Sequence, residues 1–174
     1  MVKSSLRPAA FVKWWQERIV AVIIAQLVQG VSPQKIALSI SLGLSLGIFP
    51  ILGTTTALCA IAAVRLRLNQ PIIQLVNWLV YPLQLGLVLV FIRIGEWMTH
   101  APPVNFSIPE IIAKFHESPA KFLQDFGMSL LHGVIAWLFL APLVTAITYA
   151  ILAPSLKGLA DLKNAMADSS KARP

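Results

Sequence analysis

Three stretches of this chain carry no Asp, Glu, Lys or Arg: residues 36–64, 68–92 and 126–156, the last with His132 as its one histidine. Each exceeds the ~20 residues that a helix needs to cross a bilayer. Only 12% of the chain is charged, against about 25% in an ordinary soluble domain. These runs leave too little polar surface for a water-facing domain. They predict a single-domain, all-α integral membrane protein.

The windows divide the chain. Residues 1–29 predict an amphipathic helix at the membrane surface, since Phe11, Trp15, Ile19 and Val22 recur at helical spacing opposite Lys13, Glu17 and Arg18. A short spanning helix is the alternative there. No clear cleavage site follows its apolar run, so the segment is expected to be retained. Residues 30–156 form the membrane domain: a broken helix over 33–67, a helix over 71–95, a surface segment over 96–125 and a helix over 126–153. Ser32 and Pro33 suit the N-cap and first position of the broken helix. Four prolines and alternating charges in 96–125 predict short amphipathic surface helices. Residues 157–174 read as a polar, fraying tail.

The first window is interrupted by Gly47-Ile-Phe-Pro50-Ile-Leu-Gly53 and then by Thr54, Thr55 and Thr56. Residues 36–49 reach only ~21 Å as a helix, whereas the hydrocarbon core is ~30 Å thick. Pro50 removes a backbone donor, and the flanking glycines permit a sharp change of direction. Two shapes are compatible: one kinked spanning helix, or two short helices folded into a re-entrant hairpin.

The basic residues discriminate between them. A spanning helix puts Lys3, Arg7, Lys13, Arg18, Lys35, Arg93, Lys114 and Lys121 inside, leaving six of the 14 outside. A hairpin returns Arg65 and Arg67 to the inside and leaves only Arg93, Lys114 and Lys121 outside, so that 11 of 14 are inside. The positive-inside tendency favours the hairpin.

A turn within hydrocarbon exposes backbone that must be satisfied by protein or by a wet cavity. The threonines after the break can serve, as can Gln74, Asn77 and Gln84 of the second window, so these two segments are expected to face each other. The candidate binding residues are therefore Gly47, Pro50, Gly53, Thr54, Thr55, Asn77 and Gln84. Arg65 and Arg67 flank the break; they anchor to headgroups or guide an anionic head towards it. Ser39, Gly43 and Gly47, spaced by four, form a helix-packing face, used internally or in a homo-oligomer.

No chemistry of an enzymatic kind is legible. None of the seven carboxylates lies inside a window, and His100, His116, His132 and Cys59 lack metal-ligand spacing. The expectation is no catalytic residue, no metal and no cofactor. The +7 net charge sits at window edges rather than in one stripe, which points to membrane lipid rather than nucleic acid.

The series Ser32-Pro33, Ile36-Ala37, GIFPILG, RLRLNQP (Arg65 to Pro71) and NWLVYPLQ (Asn77 to Gln84) resembles the domain of unknown function 2062 family over residues 30–153. Many relatives have an Asn-Pro-Leu-Thr-like step where this chain has Tyr81-Pro82-Leu83-Gln84. A polar role at that step would fall here to Asn77 and Gln84. The resemblance implies a multi-pass protein of the bacterial inner membrane and supplies no activity. Some relatives look joined to envelope glycosyltransferase modules, which implies a second reading as a structural partner of envelope-biogenesis proteins. The first reading is binding or translocation of a lipid or small polar solute at the break.

The hairpin has a direct check. With Cys59→Ala as background, Lys35→Cys and Leu66→Cys should react with a membrane-impermeant maleimide from the same side. Labelling from opposite sides would establish the kinked spanning helix instead.

Overall fold

The computed structural model describes residues 32–103 and 117–171. The expected N-terminal amphipathic helix, residues 104–116 of the surface segment and the last three residues lie outside that range. The described residues are all-helical, with no strand. They form α1 (Pro33–Gly47), α2 (Thr55–Leu66), α3 (Gln70–Leu79), α4 (Tyr81–Thr99) and α5 (Pro119–Lys171).

Helix α1 starts where its caps dictate. The Ser32 hydroxyl accepts from the Lys35 amide, and Pro33 occupies the first turn, where its missing N–H costs nothing. Every second residue from Ala37 to Gly47 is small and buried. This row covers more than one face of the helix, so neighbours can approach on several sides. Gly43 packs against α3, where a β-carbon would lie 2.9 Å from the Ile73 carbonyl oxygen. Gly47 meets Val80 and Asn77 in the same way. The Ser39 hydroxyl accepts from the Asn69 amide at 3.0 Å. The Ser39–Gly43–Gly47 face is thus occupied within the chain by α3 and the turn before it.

After α1 the chain turns at residues 48–54. Gly53 takes a positive φ of 82°, a conformation that glycine adopts without steric cost. Helix α2 then runs back along α1, bringing Cys59 and Ala63 against Leu42 and Leu46. It ends at Arg67, a left-handed residue, with the Leu68 amide bonded to the Ala63 carbonyl and the Arg67 amide to that of Val64. This is a Schellman closure made without glycine. Asn69 caps α3 through its side-chain oxygen, 3.0 Å from the Ile72 amide. The Asn69–Ser39 bond returns the chain to the end of α1 from which it set out.

Helix α3 runs parallel to α1, pairing Ile72 with Ile36. Helix α4 follows after one residue, Val80, which ends the first helix and starts the second. The second window is therefore interrupted, and its helix continues to Thr99 rather than stopping at residue 95. Pro82 explains the interruption: it donates no hydrogen bond and its ring crowds the carbonyl four residues earlier.

Helix α5 is antiparallel to both. Its first part packs on α4, with Gly133 beside Ile92 and Ala136 beside Phe91. Its later part packs on α1, ending with Leu156 against Ile36 and Ala37. It runs through Pro142 and Pro154 for 53 residues, roughly 80 Å at ~1.5 Å per residue. The tail expected to fray from residue 157 is helical to Lys171. Its Ala, Leu, Lys and Met content favours helix strongly enough to extend it.

Among the described residues, two segments are long and apolar enough to cross a bilayer: Tyr81–Thr99 and Phe126–Leu162. Both expose large apolar side chains, among them Trp97, Val90, Phe139 and Ile151.

The tightest contact between α4 and α5 is at Gly95, where any side chain would run into the His132 carbonyl. Gly95→Ala should destabilise the fold by about 1–3 kcal/mol through overpacking, read as a lower Tm in detergent. Gly86 has nothing within 4 Å of its β-position, so Gly86→Ala should leave Tm unchanged or raise it.

Candidate functional site

The corner between α1 and α2 is wedged between α4 and the middle of α5. Ile48 packs with Phe91 and Ala136, the Pro50 ring lies 3.5 Å from the β-position of Gly133, and Phe49 meets Trp137 edge-on at 4.7 Å. Its backbone polar groups would be costly if left bare. They are met by side chains from three elements. Gln84 Nε2 donates to the Phe49 carbonyl at 2.7 Å. Trp137 Nε1 donates to the Ser45 carbonyl at 2.8 Å. The Thr54 hydroxyl closes the turn onto the Ile51 carbonyl at 2.8 Å.

Beside this, Thr56 is held twice. Gln74 Nε2 donates to its carbonyl at 3.0 Å, and Asn77 Nδ2 donates to its hydroxyl at 3.3 Å. Gln74, Asn77 and Gln84 recur at helical spacing along α3 and α4, which directs all three towards α1, α2 and the corner.

This arrangement consumes donors and leaves acceptors. Asn77 Nδ2 also reaches Gln74 Oε1 at 3.4 Å. A flipped Asn77 amide would set two oxygens against each other, so its orientation follows from the network. The buried oxygens Asn77 Oδ1 and Gln84 Oε1 then have no hydrogen-bond partner. Asn77 is 3% exposed and Gln84 0%. A buried acceptor without a partner costs ~1–3 kcal/mol, so each is an open valence for a donor.

The structure gathers Gly47, Pro50, Gly53, Thr54, Thr55, Asn77 and Gln84 at or beside the corner. It does not bring Arg65 and Arg67 there. They sit at the opposite end of α2, a helix length of ~15 Å away, beside the turn that bonds to Ser39. Their closeness to the break in sequence is lost because α2 runs away from the corner.

Sequence reasoning missed Trp137 and the hydroxyl pair of Ser45 and Thr145, whose oxygens are 2.7 Å apart. The lone indole in a long apolar run was the available signal, since a buried Trp N–H seeks an acceptor. It also missed Glu96. That carboxylate lies in the last turn of α4, beyond the charge-free window, yet is only 2% exposed and ion-paired with Arg93 at 3.0 Å. Glu96 is therefore a buried acid, although no acid falls inside a window. Among the described residues no three His, Cys, Asp or Glu side chains gather as metal ligands.

Next to the corner an open groove of about 480 Å³ runs between α1 and α5, lined by Leu38, Leu42, Leu46, Leu138, Ala146 and Tyr149 among others. Trp137 and Ser45 close it at the corner end.

No curated protein and no solved structure matches the chain. Residues 16–163 match a family described as an uncharacterised protein conserved in bacteria. That match takes in every helix that builds the corner and most of the chain, and it establishes that the protein belongs to the DUF2062 family.

Proposed function

We propose that this is a multi-pass protein of the bacterial inner membrane that binds, at its corner, a polar group of a lipid or small solute and moves it across the bilayer. In this reading α5 spans the membrane, α3 and α4 cross it together, and α1 and α2 form a re-entrant hairpin whose tip lies near mid-depth beside the start of α4. The lengths support it. Helix α1 has 15 residues, about 22 Å at 1.5 Å per residue, too short to cross alone. The chain also returns to its starting end through the Asn69–Ser39 bond. The basic side chains Lys35, Arg65, Arg67 and Lys157 then face one leaflet, in keeping with the positive-inside tendency.

One observation carries the functional reading: Asn77 Oδ1 and Gln84 Oε1 are buried acceptors left unpaired at a broken-helix corner. Broken helices at mid-depth commonly line substrate sites in transporters. A ligand hydroxyl or ammonium group would satisfy these oxygens.

The test is reconstitution into vesicles of phosphatidylethanolamine and phosphatidylglycerol. Movement of fluorescent phosphatidylethanolamine between leaflets and uptake of radiolabelled glycerol are measured in parallel. Wild-type protein should accelerate one of them. Asn77→Leu should slow it about tenfold, equivalent to ~1.4 kcal/mol, while inserting normally. Gln84→Leu should slow it further, since it also strips the Phe49 carbonyl of its donor. Wild-type rates equal to empty vesicles in both assays would remove transport of these two substrate kinds.

A further inference from the structure

The groove between α1 and α5 differs in chemistry from the corner. Its lining is almost wholly apolar, and the polar atoms that reach it are already engaged. Trp137 Nε1 bonds to the Ser45 carbonyl. Thr145 Oγ1 is 2.7 Å from Ser45 Oγ and 2.8 Å from the Ala141 carbonyl. The groove therefore offers a polar ligand few open valences.

Its dimensions match one leaflet. From Leu38 to Leu46 the groove follows α1 for ~12 Å, and from Trp137 to Tyr149 it follows α5 for ~18 Å. Half of a ~30 Å hydrocarbon core is ~15 Å. Trp137 bounds the groove at the corner, the Ile36–Leu156 cluster bounds it at the other end, and its long side is open.

The surface around the end away from the corner is cationic. Ile36 and Leu156 pack together in one cluster, which also includes Tyr149. Their exposed chain neighbours, Lys35 and Lys157, therefore lie at the same end of the groove. Lys35 lies one turn before Leu38 of the groove wall. Arg65 and Arg67 are exposed at this end of the molecule too. The nearest described acid along α5, Asp161, is one turn beyond Lys157.

We infer that the groove seats one acyl chain of an anionic phospholipid, whose head group is held at that end by Lys35 and Lys157. The inference rests on the membrane placement proposed above, but not on the corner amides. An apolar slot one leaflet deep selects a hydrocarbon chain, and the paired lysines select a negative head. A lipid held here would keep its chain beside the hairpin and its head on the leaflet of Lys35.

The test is native mass spectrometry of the full-length protein released from detergent, titrated with phosphatidylglycerol or phosphatidylethanolamine of identical chains, and with glycerol 3-phosphate as competitor. Phosphatidylglycerol should be retained one to one and in preference. Lys35→Gln and Lys157→Gln should each weaken it about fivefold. Ala146→Trp, at an exposed edge of the groove, should weaken both lipids without lowering Tm. Equal retention of the two lipids, or full competition by glycerol 3-phosphate, would overturn the proposal. So would ready disulfide formation by Ala146→Cys, in a Cys59→Ala background, with a second copy or with Val22→Cys, since either would give the groove to protein. The Lys35 and Leu66 labelling separates the two failures. Same-side labelling with no phosphatidylglycerol preference sinks the groove site alone.

Discussion

A chain that reverses direction in the middle of a packed apolar body must find partners for its backbone there. Where water is excluded, an unmet carbonyl or amide costs a sizeable fraction of the net stability of a domain. The rest of this architecture follows from that demand at residues 48–54. Gln84 of α4 and Trp137 of α5 supply donors to Phe49 and Ser45, while Gln74 and Asn77 of α3 hold the following Thr56. Three elements must therefore converge on the turn. The small residues of α1 are what let them come close enough, since Gly43 and Gly47 leave room for backbone and β-branched side chains of the neighbouring helix.

The corner was legible in the sequence because its signals are of different kinds and agree. Pro50 and the two glycines disrupt any helical period. The amides of the second window stand out because a polar side chain in an apolar run must be paired somewhere. Ser32 and Pro33 place the start of α1 for local reasons. The all-helical architecture and the two helices able to cross a bilayer follow from window length alone.

Other features depended on contacts that no local pattern encodes. Pro82 and Pro142 sit in similar apolar surroundings, yet the chain breaks before the first and runs helically through the second. Beside Pro82, Gln84 is drawn onto the Phe49 carbonyl. Beside Pro142, Ala141 is buried in an unbroken α5. Arg65 and Arg67 looked adjacent to the break, but a helix of 12 residues carries them away from it. Glu96 was hidden by the way windows are drawn, because a charge ends a window whether or not it is buried. Arg93 offsets its charge, so the carboxylate folds inward.

The two ends of the α4–α5 pair are joined by unlike means. Near Gly95 the helices touch main chain to main chain, and His132 leaves no space between them. At the far end of α4 the link to the hairpin runs through the flexible amide of Gln84. A joint of the first sort cannot slide, because its surfaces have no slack to exchange. One of the second sort can lengthen or swap partners at small cost. Of the two joints, the one at Gln84 is the softer, and the one at Gly95 fixes the distance between the helices.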